Sequence, residues 1–316
     1  MRGIKPVLVI GSLNMDLVVR CEHLPQPGQT IFGTDFFTAA GGKGANQAVA
    51  AARLGASVTM AGCVGDDPFG RDLVAALRAD SICSDNVRVM PRPTGTALIT
   101  VDAQGANTIV VASGANVVGE PALAEHALAA IGRPGILLLQ HEIPDEVNAQ
   151  AVRTAHRAGW FIVLNPAPAR RIAPELLPLI DLVAPNETEA ASLTGSGDPA
   201  AAAQHLIAQG ARAVLVTLGS QGAYYRDTRV ALHCPAVPVQ AVDTTAAGDA
   251  YVGALAAALA EGLDIAEALG FAAAAAGLAV TRLGAQPSLG SADEVRAFIR
   301  QFGMPVAKPA TNHQEV

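Results

Sequence analysis

The chain has 316 residues, 51% hydrophobic and 16% charged, a globular balance in a chain long enough to bury a full core as one large α/β domain or two small ones. A formal net charge of −7 and a pI of about 5.5 argue against nucleic acid or an anionic membrane as the main partner, since neither is attracted to such a surface. A small anionic ligand stays open, because local amides and a metal ion can offset global charge.

In chain order, the apolar run after Met1 is too short for a signal peptide and runs straight into Asn14 and Asp16, so a buried first strand over Val7–Ile10 is expected. Between Asn14 and Thr38 there is no helical period, but Leu17-Val-Val-Arg20 alternates. Gly41-Gly-Lys-Gly-Ala-Asn-Gln47 then leads into a helix expected over Ala48–Leu54. A second alternating stretch, Ala97-Leu-Ile-Thr-Val-Asp102 within Thr94–Ala112, turns at Gln104-Gly105. Short β-branched runs at Ser57–Cys63, Gly135–Leu139, Trp160–Leu164 and Ala213–Thr217 alternate with Ala-rich helical segments, and Gly55, Gly159 and Gly210 stand where C-terminal helix caps belong. The apolar stretch Ala268–Val280 is too short to span a bilayer and is expected to be a core helix. The pattern predicts a doubly wound, mostly parallel α/β sheet covered by helices on both faces. The α/β core is expected from residues 1–11, 39–93 and 113–303, a small inserted β-sheet lid from 12–38 and 94–112, and a loose tail from 304–316, where Pro305 and Pro309 fall. Cys21, Cys63, Cys83 and Cys234 are scattered without C-x-x-C spacing, as reduced thiols of a cytoplasmic protein are.

Chemistry concentrates at six places. Ala241-Val-Asp-Thr-Thr-Ala-Ala-Gly-Asp249 opens onto an almost uncharged helix, whose unpaired first N–H groups and dipole make an anion site. A carboxylate there either caps the helix or works beside a phosphoryl group as the base that takes a proton from an attacking hydroxyl. The glycines at 41, 42 and 44 let backbone approach a ligand while Lys43 and Asn46 add donors, although the spacing is not that of a P-loop. Asn14 and Asp16 point the same way on an extended segment, which suits vicinal sugar hydroxyls or merely a solvated loop. Glu142 ends the run Ile136-Leu-Leu-Leu-Gln-His-Glu142 at a strand's C-terminal edge, where open α/β sheets bind ligands; His141 beside it reads as packed or capping. Pro185-Asn-Glu-Thr-Glu189 is either a helix capping box or a pair, Asn186 and Glu189, facing Mg²⁺ and its waters. Thr217-Leu-Gly-Ser-Gln-Gly222 is either a nucleotide loop or a plain hairpin turn.

Taken in order and at these separations, five motifs, Asn14-Met-Asp16, Gly41-Gly-Lys-Gly-Ala-Asn-Gln47, Pro185-Asn-Glu-Thr-Glu189, Thr217-Leu-Gly-Ser220 and Ala246-Ala-Gly-Asp249, resemble the ribokinase-like family of carbohydrate kinases from about Val7 to about Phe302. The resemblance implies ATP-dependent phosphorylation of D-ribose at O5, with Asp249 as base and Ala246, Ala247 and Gly248 as anion hole. Asn14, Asp16, Gly42, Lys43, Asn46 and Glu142 would hold the sugar. Asn186, Glu189, Thr217, Gly219, Ser220, Gly222 and Gly248 would serve ATP and Mg²⁺ or another divalent cation. A K⁺ ion would lie among Asp243, Thr245, Ala279, Arg282, Gly284 and Ser288, largely on backbone oxygens. The family often has His or Asn where this chain has Ala273, which implies a weaker polar contact to ATP and tolerance of other nucleoside triphosphates. Edges of the lid strands imply a homodimer in which lids pair. Alternatives are a kinase for deoxyribose or a ketohexose, and a non-catalytic sugar sensor. A dinucleotide-binding oxidoreductase is disfavoured, because Gly11-Ser-Leu-Asn14 lacks the required glycine fingerprint.

Overall fold

The computed structural model describes residues 4–310, and two sheets organise it. β1 (Val7–Ile10) lies inside the large sheet, between β4 (Val58–Gly65) and β8 (Ile136–Gln140). β5 (Cys83–Met90) closes one edge, while β9 (Phe161–Asn165), β10 (Leu182–Val183) and β11 (Ala213–Thr217) continue the other way. All seven of these strands run parallel. Antiparallel β12 (Ala223–Asp227), β13 (Ala231–Cys234) and β14 (Lys308–Pro309) complete a ten-stranded sheet.

Strand period two divides the core. Val7, Val9, Ile136 and Leu138 face one apolar cluster, and Leu8, Ile10, Leu137 and Leu139 face the other. The first is covered by α1 (Lys43–Arg53), α2 (Pro68–Ala79), α7 (Ala247–Glu261), α8 (Ile265–Ala279) and α9 (Ala292–Phe302). On the other face lie α3 (Pro121–Ile131), α4 (Asp145–Arg157) and α6 (Pro199–Ala208), with Ala190 of the short α5 (Glu187–Thr194). Alanines bury nearly all of α7 and α8, and so small a side chain lets helices stack closely on the sheet. Ala273 is part of that buried face.

The second sheet joins β2 (Asn14–Arg20), β3 (Asp35–Gly41), β6 (Gly95–Val101) and β7 (Asn107–Ala112) in the order β3-β2-β6-β7. Both alternating segments therefore sit side by side. β3 runs on to Gly41, three residues past the expected lid boundary at Thr38, because Thr38, Ala39, Ala40 and Gly41 pair with Leu17, Asp16, Met15 and Asn14. Alternation puts Asp16, Val18, Arg20, Phe37, Ile99 and Ile109 on the face lining a cleft of about 830 Å³. Val19, Phe36, Leu98 and Val110 are exposed on the other.

Two further expectations change. The helix expected from Ala48 starts at Lys43, because Gly42 at φ 90° turns the chain straight from β3 into α1. The expected loose tail contains β14, since Lys308 and Pro309 find the open edge of β13; residues 311–316 lie outside those described. The glycines at 55, 159 and 210 all have positive φ after their helices, as their capping positions require. Among the described residues no helix is long and apolar enough to cross a membrane, and the four cysteines are unpaired.

Candidate active site

Strand order reverses between β1 and β8, and polar residues take over where both strands end. Ser12 Oγ donates to Glu142 Oε2 at 2.5 Å and accepts from the Gly44 amide at 3.3 Å. Glu142 Oε2 also accepts from the Lys43 amide at 3.2 Å, so both strand ends are tied to the first turn of α1. Asn116 orients Asn14: its Nδ2 donates to Asn14 Oδ1 at 2.8 Å, and its Oδ1 accepts from the Leu13 amide at 2.9 Å. A Cβ at Gly42 would lie 2.7 Å from the Asn14 nitrogen, and one at Gly41 would lie 2.3 Å from Asp16 Oδ2. Glycine is thus required sterically at Gly42, which faces backbone, whereas a side chain at Gly41 would displace the Asp16 carboxylate.

Asp249, on the first turn of α7, is 6% exposed. Its Oδ2 accepts from Asn46 Nδ2 and its Oδ1 from Gln47 Nε2, both at 3.0 Å. The close approach of α7 to α1 comes from Gly253, where a Cβ would stand 2.6 Å from both the Ala50 Cβ and the Gln47 carbonyl oxygen. Four carboxylates converge here. Burial, then Glu142 and Asp249, push the Asp16 carboxyl up to about 7. Lys43 answers them; Asp249 chiefly, then Glu142 and Glu189, hold its ammonium on against the opposing effect of burial. Burial also raises the Glu189 carboxyl.

The strained residue of the α7 turn is Ala246, at φ 57°, whereas Gly248 has no positive φ. Left-handed backbone at a non-glycine residue costs on the order of 1 kcal/mol and concentrates at functional turns. No side chain caps this helix. Ala247 N–H donates to Thr244 O at 3.2 Å, and among the described residues the N–H groups of Gly248 and Asp249 have no acceptor. A Cβ at Gly248 would meet nothing within 4 Å. Glycine there leaves space open above free amide hydrogens, which backbone conformation alone does not require. Of the three amides expected to form an anion hole, the one at Ala247 is partly engaged by Thr244 O, while the Asp249 amide, like that of Gly248, has no acceptor among the described residues.

The loop before α7 is braced by the segment after α8. Against the upward push of burial, Thr245 and the Gly284 amide hold the Asp243 carboxyl low. Thr245 N–H and Oγ donate to Asp243 Oδ1 at 2.9 and 2.6 Å, and Gly284 N–H donates to Oδ2 at 2.8 Å. Val280 O accepts from the Asp243 amide, Ala279 O from Arg282 N, and Ser288 Oγ donates to Ala285 O. The Arg282 guanidinium points away, to Glu294 at 2.7 Å. Arg53 of α1 pairs with both oxygens of Asp80 and donates to the carbonyls of Gln286 and Leu289 at 2.6 and 2.9 Å.

Asn186 and Glu189 form the reciprocal capping box of α5, each backbone N–H donating to the other's side chain at 2.8 Å. The box uses only Glu189 Oε2, and Oε1 accepts no hydrogen bond among the described residues. Asn186 also bridges to Thr217 at the end of β11, and a tight turn, Gly219-Ser220-Gln221, with Gly222 at φ 96°, returns into β12. This loop is a hairpin turn by topology. Among the described residues no three His, Cys, Asp or Glu side chains cluster as a metal site.

Sequence reasoning passed over Ser12, Gln47, Asn116, Gln140 and Asn165. The signal for two of them was a polar residue ending an apolar strand, Gln140 on β8 and Asn165 on β9. His141, expected to be packed, is buried, and its burial pushes the imidazole down to about 4.

Comparison with known proteins finds ribokinases by sequence and by fold. The ribokinase of Bacillus subtilis is 42% identical over 294 residues, 93% of this chain and 99% of that one. That of Schizosaccharomyces pombe is 40% identical over 305 residues, 92% of this chain and 96% of its own. The solved structure of Arabidopsis thaliana ribokinase complexed with ribose and ATP superposes with a TM-score of 0.84 at 35% identity, covering 94% of this chain and 99% of that one. Residues 5–292 match the pfkB family of carbohydrate kinases, and the chain belongs to that family.

Proposed function

We propose that this chain transfers the γ-phosphoryl group of ATP to O5 of D-ribose. Asn14, Asp16, Gly42, Lys43, Asn46 and Glu142 hold the sugar, with carboxylates accepting from its hydroxyls and Lys43 and Asn46 donating. Asp249 takes the proton from the attacking hydroxyl as it moves in line onto phosphorus. The Gly248 and Asp249 amides, with Ala246 and Ala247 shaping the turn, stabilise charge on the moving phosphoryl group. The observation that carries this reading is a buried carboxylate held by two amide side chains on a helix turn whose Gly248 and Asp249 N–H groups have no acceptor among the described residues.

Asn186, Glu189, Thr217, Gly219, Ser220 and Gly222 hold ATP and Mg²⁺, which supplies positive charge to the phosphate oxygens when bound. Asp243, Thr245, Ala279, Arg282, Gly284 and Ser288 would hold K⁺, largely through backbone oxygens, and the ion would supply positive charge that fixes the Ala246 turn electrostatically. The small sheet, with its apolar lining above the cleft, acts as a lid, and the exposed Val19, Phe36, Leu98 and Val110 pair two lids in a homodimer. The four free thiols suit a cytoplasmic protein.

ADP release measured against a panel of pentoses and hexoses, with and without K⁺, tests the substrate and the ion together. Asp249→Asn lowers kcat by about 10²-fold or more with ATP affinity retained; near-normal turnover refutes the assignment. Activity indifferent to K⁺ refutes the ion's role, and light scattering that finds only monomer refutes the dimer.

A further inference from the structure

We infer that Gln47 is the positioning residue for the Asp249 carboxylate, bolting it to the central sheet through a fully buried amide whose orientation cannot reverse. The inference rests on the proposed role of Asp249 as base. Gln47 is 0% exposed, and both hydrogens of its Nε2 are committed, to Asp249 Oδ1 at 3.0 Å and Asn165 Oδ1 at 3.1 Å. Its Oε1 accepts from Gln140 Nε2 at 2.7 Å. Asn165 is itself locked, because its Nδ2 donates to Ala184 O at 2.7 Å and leaves Oδ1 as acceptor. Turning the Gln47 amide over would set its oxygen against a carboxylate and against the Asn165 oxygen, and would leave the Gln140 donor facing NH₂. In a site closed to water each of those losses is severe.

The chain of amides therefore ends on β8 through Gln140, on β9 through Asn165, and just past β10 at Ala184. α7 alone would carry Asp249 with the freedom of one helix end. Gln47 adds an anchor on three neighbouring strands. Asn46 holds the other oxygen, so the plane of the carboxylate is set and each oxygen keeps a lone pair for the sugar hydroxyl.

The other charged groups acting on Asp249 are Lys43 of α1, Asp16 of β2 and Glu189 of α5. To separate Gln47 from Asp16, the pH dependence is read in kcat at saturating sugar and ATP, where Asp16 is already committed to the sugar. Gln47→Leu keeps volume and removes the donor. It is expected to lower kcat about 10- to 100-fold, leave both KM values within threefold, and move the acid limb of kcat upward by about one pH unit. Gln47→Glu keeps size and puts an acid against Asp249; its acid limb moves at least as far, with activity recovered at high pH. Thermal unfolding and ATP affinity accompany both, and Gln47→Glu is decisive should Gln47→Leu fail to fold. An acid limb that coincides with the wild type's in a folded variant overturns the inference. Asp249→Asn is run in parallel. If it is inactive while the Gln47 variants behave as wild type, only the positioning role falls; if Asp249→Asn is active, the reading of the base falls instead.

Discussion

Replacing Gly253 with alanine tests whether helix spacing sets the reacting geometry. The added Cβ would stand 2.6 Å from the Gln47 carbonyl oxygen, 2.6 Å from the Ala50 Cβ and 3.2 Å from the Ala51 nitrogen. Two of these atoms are backbone, and the third is a methyl with no rotamer to change. Relief therefore requires α7 to draw back from α1 by about 1 Å, since packed interiors hold no slack. Overpacking of this kind costs about 1–3 kcal/mol, while alanine in a helix interior returns about 1 kcal/mol over glycine. The net loss of about 0–2 kcal/mol lowers Tm by only a few degrees in a chain of this size. Activity has no such offset. Asp249 lies one turn upstream on the same face of α7, and its two 3.0 Å hydrogen bonds to Asn46 and Gln47 cross the widened interface. Stretched to about 4 Å they cease to be hydrogen bonds, and a base displaced by about 1 Å costs on the order of 10² in rate. Coupled measurement of ADP release together with thermal unfolding decides the matter. A folded Gly253→Ala enzyme with wild-type kcat would refute the argument that this contact sets the position of Asp249.

Gly248→Ala is expected to leave thermal stability unchanged or slightly raised, since its Cβ meets nothing, while kcat falls at least tenfold because a methyl occupies the space above the free amides. Equal activity in the two proteins would mean that no ligand approaches there. Asp16→Asn should raise the Tm of the sugar-free protein above pH 7 and weaken sugar binding. Its carboxyl, raised from 3.8 to about 7, is comfortable when protonated below the unfolded value, and the stability it contributes is lost as pH rises through about 7. The gain is on the order of a few kcal/mol at pH 8, shrinks as pH falls below 7 and vanishes only toward pH 4, which differential scanning calorimetry between pH 4 and 8 measures. By the same shift, KM for the sugar in the wild type should rise as pH falls below 7, and a flat profile would remove Asp16 from sugar binding.

Much of the architecture was legible locally. The first strand at Val7–Ile10 and the strand at Ala213–Thr217 begin and end where their β-branched runs do, because a strand buried on both faces needs an unbroken apolar run. Asn186 with Glu189 announced its capping box, since the two hydrogen bonds close within one helical turn. The two alternating segments also declared a separate small sheet. The start of α1 was misread by five residues, because Lys43–Gln47 looked like a glycine loop until the left-handed Gly42 placed it as a helix start. The two-residue strand at Lys308–Pro309 had no local signature; an unpaired edge elsewhere recruited it.

Chain order and residue type were enough to single out Asp249, Lys43, Asn46 and Glu142 as candidates, because anion sites at helix starts and glycine-rich turns are local properties. Tertiary structure alone decided what surrounds them. Ser12 meets Glu142 across 130 positions, Gln47 meets Asp249 across 202, and Gln47 meets Asn165 across 118. No periodicity encodes such pairs; they arise only when β1, β8 and β9 lie side by side and a missing side chain at Gly253 lets two helices touch.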